Sequence, residues 1–178
     1  NDTVAALLGA LAEHPSACFS GYIGMILGTG TNCCYAERNV RILKDETLRG
    51  SEGSSIINME AGAFNAMRLT EADVLVSKGA KVAEQNLAEK MMSGAYQGRL
   101  LDALITCAIQ AGCFSPAFAR RFEALDSGLT AADISAYTTL PARAGRIHNL
   151  AETSQDAHAL YTLVDALLER AAMLAVMN

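Results

Sequence analysis

The order of apolar and polar positions along the chain predicts one helix, then a block of short strands, then a long helical portion. Residues 4–12 repeat apolar side chains with the period of a helix, and Asn1, Asp2 or Thr3 supplies its polar N-cap. Apolar stretches bounded by glycine and polar residues then predict strands at 22–27, 33–35, 38–44 and 55–60. The helical period returns at 70–77, 83–111, 115–124, 130–136, 141–150 and 154–177. Since no linker interrupts this order, it predicts one α/β domain over residues 1–178.

Composition excludes several classes of protein. With 178 residues, of which 51% are hydrophobic and 19% charged, the chain can bury a core and is not a disordered segment. Fourteen Lys and Arg against nineteen Asp and Glu give a net charge of −5, so we expect no nucleic-acid partner. No apolar run approaches the roughly 20 residues of a membrane helix, so we expect no membrane partner either.

The cysteines and histidines point to no covalent or metal chemistry. Five cysteines, an odd number, follow no Cys-x-x-Cys pattern, which is typical of reduced thiols and predicts a cytoplasmic protein; they lie at 18, 33, 34, 107 and 113. The three histidines, at 14, 148 and 158, have no partners at ligand spacing, so we expect no metal held by the protein itself. Because the chain starts at Asn1 rather than Met, and its helical run at 171–178 stops without a capping signal, we also expect it to continue at both ends in a longer protein.

A glycine-threonine segment, Gly28-Thr29-Gly30-Thr31-Asn32, is the first candidate for ligand chemistry. Its glycines would let backbone N–H groups turn towards a phosphate, and its threonine hydroxyls would add donors. The segment lacks the third glycine of a dinucleotide fingerprint and the lysine of a P-loop. A hairpin turn with glycines at positive φ explains the same residues.

Three carboxylates are candidates for catalysis or ligand binding. Asp2 could accept the proton of an attacking hydroxyl, or it could cap its helix. Glu60 follows an apolar strand, where carboxylates line clefts, although a solvated loop fits as well. Glu89 lies in a predicted helix, where an exposed pairing with Gln85 is the alternative. Combined with the amide of Asn32, the carboxylates of Glu60 and Glu89 would suit a polyhydroxylated ligand.

Four blocks, in the expected order, resemble the second half of the hexokinase polypeptide. Asn1-Asp2-Thr3-Val4 is similar to the catalytic Asn-Asp-Thr-Val, and residues 28–35 resemble the second phosphate loop. Residues 58–64, Asn-Met-Glu-Ala-Gly-Ala-Phe, resemble the sugar-binding Asn-Met-Glu-Trp-Gly-Ala-Phe. Asp73 and then residues 89–98 resemble the block Glu-Lys-Met-Ile-Ser-Gly-x-Tyr-x-Gly. Four ordered blocks identify a family with more specificity than any one of them.

The resemblance implies a fold and an activity. The fold would be the actin-like ATPase (ribonuclease H-like) α/β fold, with residues 1–178 as a large-domain portion. The activity would be that of an ATP-dependent hexokinase in glycolysis, with ATP and Mg²⁺ as co-substrates and a hexose such as glucose as acceptor. The resemblance also implies an N-terminal small domain and a C-terminal segment outside these residues, so we expect the chain by itself to be inactive.

The resemblance also implies roles for single residues, taken from the family motif that each block matches. Asp2 would take the proton from the 6-hydroxyl of the sugar. The sugar-binding residues would be Asn1, Asn32, Glu60 and Glu89. The phosphate- and nucleotide-binding residues would be Gly28, Thr29, Gly30, Gly94 and Ser135.

Several positions depart from the family pattern. Ala61 stands where an aromatic residue is usual, Val82-Ala83-Glu84 where Asn-Pro-Gly is usual, and Arg99 where a glutamate is expected. These departures favour an alternative, a non-catalytic sugar-binding or regulatory kinase-like module. An actin-like assembly domain is a third hypothesis, but it would leave both glutamate blocks without a role. The sequence leaves the hexose, the phosphoryl donor and the oligomeric state open.

Overall fold

A computed structural model describes residues 1–13, 19–79, 85–139 and 145–177. The strands are β1 (Ile23–Leu27), β2 (Thr31–Arg38) and β3 (Ser54–Asn58). The helices are α1 (Asp2–Glu13), α2 (Glu71–Lys78), α3 (Leu87–Met92), α4 (Gly94–Gln110), α5 (Pro116–Glu123), α6 (Ala131–Thr139), α7 (Gly145–His148) and α8 (Ser154–Met177). The chain divides into two compact units, residues 1–61 and residues 62–178. Predictions at His14, Cys18, 82–84 and 140–144 lie outside the described residues.

The first unit is an antiparallel sheet in the order β1-β2-β3. The predicted hairpin is confirmed, since Leu27 pairs with Thr31 across a three-residue loop. In the second pairing Cys34 lies opposite Asn58, so the start of β2 lies beside the end of β3. Because β1 and β3 both end where β2 begins, the β1–β2 loop and the residues that follow β3 lie at the same end of the sheet.

Helix α1 packs on one face of this sheet at Gly24. A Cβ at Gly24 would lie 2.7 Å from the carbonyl oxygen of Thr3 and 2.9 Å from the Cβ of Leu7. The thiol of Cys34 donates a hydrogen bond to the same Thr3 carbonyl at 3.3 Å. The missing side chain at Gly24 therefore lets the first turns of α1 lie directly on the strands.

The prediction of a strand over residues 38–44 is wrong. The chain leaves β2 at Arg38 and forms a 3-10 turn at Asn39–Arg41. Alternating apolar residues imitate a strand here, but the buried amide of Asn39 donates to the carbonyl of Glu52 at 3.0 Å and to the hydroxyl of Ser51 at 3.0 Å. These bonds to the following loop fold the chain back, so pairing with β2 resumes only at β3.

The second unit is built from helices around α4, which packs against α2, α3, α6 and α8. Its core side chains include Leu101, Ile105, Phe118, Leu160 and Val164. At Gly98 the helix α4 runs against another part of the backbone: a Cβ there would collide with the carbonyl group of Leu129 and come within 2.7 Å of the Cα of Thr130. None of the described helices has both the length and the apolar character needed to cross a bilayer.

The predicted helix over residues 83–111 is two helices, α3 and α4. They meet at Ser93, which is extended at φ −80° and ψ 153° and is fully buried. A serine followed by a glycine weakens a helix, because serine competes for backbone hydrogen bonds and glycine loses more conformational entropy than other residues. The helical period continued through this break, so periodicity could not reveal it. The helix predicted at 141–150 is described only as α7.

Candidate functional site

The N-terminus of α1 holds the first two candidate residues. Asn1 precedes the helix and caps it, since its Oδ1 accepts from the N–H of Thr3 at 3.0 Å. Asp2 is the first residue of α1, and its Oδ1 accepts from the same N–H at 2.9 Å. Both side chains belong to exposed residues. Thus Asn1 serves as the predicted cap, and the carboxylate of Asp2 stands in solvent beside it.

Three asparagines and a glutamate bind one another at the end of the sheet. The Nδ2 of Asn32 donates to the Oδ1 of Asn58 at 2.8 Å, and the Nδ2 of Asn1 donates to the same oxygen at 3.1 Å. The Nδ2 of Asn58 donates to the Oε1 of Glu60 at 2.5 Å. We call these four residues the amide cluster. Side chains alternate between the faces of a strand, so Asn32 and Asn58 share the face of Cys34, on which α1 packs.

Glu60 has an uncommon backbone conformation. Its φ is +50°, in the left-handed region that non-glycine residues seldom occupy. The turn at Glu60 brings the N–H of Ala61 to the Oδ1 of Asn32, at 3.1 Å. That oxygen also accepts from the N–H of Cys33 at 2.8 Å. Such backbone strain, about 1–3 kcal/mol, is often found at binding and catalytic sites.

The candidate phosphate loop, residues 28–30, joins β1 to β2. The N–H of Gly28 donates to the carbonyl of Gly30 at 2.9 Å, while Thr29 is exposed. The expectation of positive φ is wrong, because the described left-handed glycines are Gly53, Gly112 and Gly145. Since the N–H of Gly28 is already bonded to Gly30, the N–H groups and hydroxyl available to a phosphate are those of Thr29 and Gly30.

The first unit therefore gathers five candidate positions at one end of its sheet, namely Asn1, Asp2, residues 28–30, Asn32 and Glu60. Asn58 lies in the third block of the resemblance and had no predicted role, although its side chain bonds to three of these residues, Asn1, Asn32 and Glu60. One signal was available: Asn58 and Glu60 are two residues apart at the end of a strand, which is the spacing of side chains on one face.

The other three candidates belong to the second unit. Glu89 is half-buried in the first turn of α3, Gly94 begins α4, and Ser135 is exposed on α6. Helix α3 begins at Leu87, so Gln85 lies outside it. Convergence of Glu89 with the amide cluster stays a prediction.

Two buried carboxylates in the second unit are held by hydrogen bonds from other parts of the fold. Asp73, 3% exposed, accepts from both terminal nitrogens of Arg170, at 2.9 and 2.7 Å, and from Thr70. Burial raises the pKa of Asp73, but the hydrogen bonds from Arg170 and Thr70 outweigh burial and lower the pKa overall. The same balance holds at Asp156, where burial is outweighed by hydrogen bonds from Ser115 and Thr153 and the pKa is about 2. Over the described ranges no group of three His, Cys, Asp or Glu side chains is placed to hold a metal ion.

Comparison with known proteins decides the family of this chain. A family model described as Hexokinase matches residues 22–178. This chain belongs to the hexokinase family. Chloroplastic hexokinase-4 of Oryza sativa subsp. japonica is 36% identical over 106 residues, which is 59% of this chain and 20% of that hexokinase. Hexokinase-2 of Equus caballus is 37% identical over 111 residues, which is 59% of this chain and 11% of that hexokinase.

Solved hexokinase structures share the fold. The hexokinase from Schistosoma mansoni complexed with glucose superposes with a TM-score of 0.76 at 26% identity, over 98% of this chain and 41% of that one. A second crystal structure of a hexokinase gives a TM-score of 0.70, also at 26% identity, and 38% of it is covered. The predicted fold class, the actin-like ATPase α/β fold, is confirmed. The chain spans less than half the length of these hexokinases.

Proposed function

We propose that the chain is the large-domain portion of a sugar kinase that transfers the γ-phosphoryl group of ATP to the 6-hydroxyl of a hexose such as glucose. The observation that carries this proposal is the amide cluster, whose four polar side chains hold one another beside Asp2; Asn1, Asn58 and Glu60 are exposed and Asn32 is half-buried. Amide N–H donors and a carboxylate acceptor in fixed orientation match the hydroxyl groups of a sugar. Membership of the hexokinase family supports the same substrate class.

Asp2 acts as the base in this proposal. When the 6-hydroxyl oxygen attacks the γ-phosphorus, the carboxylate of Asp2 takes its proton, the bond from phosphorus to the β-γ bridging oxygen breaks, and ADP leaves. Mg²⁺ arrives with ATP as part of the substrate. The Oδ1 of Asp2 is tied to the N–H of Thr3, so the carboxylate keeps its orientation while Oδ2 is free to bind the hydroxyl.

The remaining candidates position the two substrates. Thr29 and Gly30 would bind phosphate oxygens, and Gly28 would shape that loop through its bond to Gly30. From the second unit, Glu89 would bind the sugar, while Gly94 and Ser135 would bind the nucleotide. Since phosphoryl transfer depends on positioning and charge stabilisation, these contacts matter as much as the base.

The proposal includes inactivity of residues 1–178 alone. The chain spans 20% of the Oryza sativa relative and 41% of the Schistosoma mansoni chain, so we expect other parts of the protein to complete the surroundings of the two substrates. Closure of such a site excludes water, which would otherwise accept the phosphoryl group. We expect sugar binding by this chain without sugar-dependent release of ADP.

A second candidate function is a non-catalytic sugar-binding or regulatory module. Arg99 favours it: this exposed guanidinium lies 5.8 Å from the ring centroid of Tyr96, where the family pattern has a glutamate. Calorimetry combined with an ATP turnover assay on the natural polypeptide that carries this sequence separates the two functions. Sugar binding without turnover supports the module, whereas sugar-dependent turnover supports the kinase.

The variant Asp2→Asn in that natural polypeptide tests the kinase directly. We expect kcat to fall about 10²- to 10⁴-fold, since a general base contributes that much, while the affinity for glucose is kept. Asp45→Asn is the matched control, because Asp45 is an exposed carboxylate of the same unit in a loop outside the amide cluster. Near-normal turnover by Asp2→Asn would reject the assigned role.

A further inference from the structure

We infer that Asn58 is a positioning residue. The carboxylate of Glu60 orients the amide of Asn58, and Asn58 in turn fixes which way the amide groups of Asn1 and Asn32 point. This inference rests on the proposed function, since it assigns the cluster's orientation to sugar binding. Asn58 has a positioning role and not a catalytic one, because it acts through its three neighbours.

The direction of each hydrogen bond follows from Glu60. An ionised carboxylate only accepts hydrogen bonds, so the group that Asn58 places 2.5 Å from the Oε1 of Glu60 has to be its NH₂. The Oδ1 of Asn58 then faces the other way. There it accepts from the Nδ2 of Asn32 at 2.8 Å and from the Nδ2 of Asn1 at 3.1 Å.

Backbone N–H groups around Asn1 and Asn32 require the same orientation of these two amides. The Oδ1 of Asn32 accepts the N–H groups of Cys33 and Ala61, and the Oδ1 of Asn1 accepts the N–H of Thr3. A flipped amide would oppose its NH₂ to a backbone N–H and lose these bonds. The backbone N–H groups and the Glu60 carboxylate therefore require the same orientation of the three amides. The side chain of Asn58 connects the two sets of bonds.

The arrangement leaves defined groups for a ligand. Within the described residues, each of the three amides uses one N–H in the cluster, so one N–H of each remains, and the Oε2 of Glu60 remains as an acceptor. A sugar hydroxyl can both accept and donate, so it can bridge a remaining amide N–H and this oxygen. Because the side chains are already ordered, binding loses less rotamer entropy than it would with free side chains.

Two substitutions at Asn58 separate its acceptor from its donor. Asn58→Ala removes both, whereas Asn58→Asp keeps an oxygen for Asn1 and Asn32 but loses the N–H given to Glu60. The control is Asn149→Ala, an exposed asparagine in the second unit. Asn58 is itself exposed at the end of β3, so we expect all three variants to fold.

The first readout needs no sugar and uses the side-chain NH₂ signals of Asn1 and Asn32, measured by NMR on residues 1–178 with ¹⁵N-labelled asparagine. We expect both pairs of signals to move towards solvent-exposed values in Asn58→Ala and to stay near their original positions in Asn58→Asp. Unchanged Asn32 signals in Asn58→Ala would overturn the inference, whatever the protein binds.

The second readout is steady-state kinetics with glucose on the natural polypeptide. We expect Asn58→Ala to raise KM for glucose about 10-fold or more, because the amides of Asn1 and Asn32 lose their common acceptor, with kcat changed less than about threefold. Asn58→Asp should raise KM less, because its oxygen still accepts from Asn1 and Asn32. An active parent enzyme whose KM is unchanged by Asn58→Ala contradicts the inference and leaves the proposed function intact. A parent polypeptide that neither binds nor phosphorylates glucose contradicts the proposed function instead.

Discussion

Carboxylates with hydrogen-bond partners occur in both units, but their surroundings differ. In the second unit Asp73 is 3% exposed and Asp156 is 1% exposed, and their partners are a guanidinium, hydroxyls and backbone N–H groups of the fold. In the first unit Asp2 and Glu60 are exposed, and each forms a bond through one oxygen while the other faces no donor among the described residues. A buried carboxylate whose two oxygens both accept hydrogen bonds from the protein stabilises the fold, whereas one with a free oxygen can bind a ligand. The contrast sets Asp73 and Asp156 apart from Asp2 and Glu60. Asp45 is also exposed and bonded through one oxygen, but it lies outside the amide cluster.

The largest effect we expect is in the second unit, at Gly98. The variant Gly98→Ala must push α4 away from the backbone of Leu129 and Thr130, because a Cβ there collides with main-chain atoms. We expect a loss of more than about 3 kcal/mol in the free energy of unfolding, at the upper end for overpacked sites, measured by urea denaturation. Gly79→Ala is the control, since its Cβ would meet its nearest neighbour at 3.7 Å. Equal stability of the two variants would contradict the close approach at Gly98.

A smaller effect is expected at Asp156, and it depends on pH. The folded pKa of about 2 lies below the ordinary aspartate value of about 3.9, so the folded state favours the ionised form. This contribution is complete above about pH 4 and is lost as the pH falls from about 4 to 2; at pH 7 it is worth about 2 to 3 kcal/mol. Asp156→Asn should remove most of it at pH 7.

Urea unfolding at pH 7, 4 and 2.5 measures this dependence. The wild-type chain should lose stability between pH 4 and 2.5, and Asp156→Asn should lose less over the same interval. Asp73 also has a lowered pKa, so part of the acid dependence should remain in the variant. A variant as acid-sensitive as the wild type would show that the hydrogen bonds from Ser115 and Thr153 do not hold the carboxylate ionised.

The smallest effect on stability is expected at Glu60. Glu60→Gln keeps the size of the side chain and an oxygen for the N–H of Asn58, and the site is exposed. We therefore expect a change within about 0.5 kcal/mol in the free energy of unfolding, as for most surface substitutions. A loss comparable to that of Asp156→Asn would break the contrast between the two units.

Local signals in the sequence predicted most of the elements. The helix after Asn1, the hairpin around Gly28 and the strand that became β3 each carry their own apolar period and turn residues. Likewise α5 starts where Ser115 caps it and Pro116 follows, a pattern readable from four residues. Such elements depend on neighbours in the chain, so the sequence is enough.

What could not be predicted depends on contacts between distant residues. The false strand at 38–44 has a strand's alternation, and only the bonds of Asn39 to Ser51 and Glu52 show why it folds back. The pairing of Asp73 with Arg170 spans most of the second unit. At the candidate site the resemblance supplied the residues, but the role of Asn58 needed the register of β2 against β3.

The most direct test of the amide cluster as a sugar site is a glucose titration of residues 1–178 labelled with ¹⁵N-asparagine, followed through the side-chain NH₂ signals. Asn39, buried in the first unit, and Asn149, exposed in the second, serve as internal references, and L-glucose serves as the stereochemical control. Our account predicts saturable shifts of Asn1, Asn32 and Asn58 with D-glucose, and none with L-glucose. Static signals for those three residues, or shifts that Asn39 and Asn149 share equally, would contradict it.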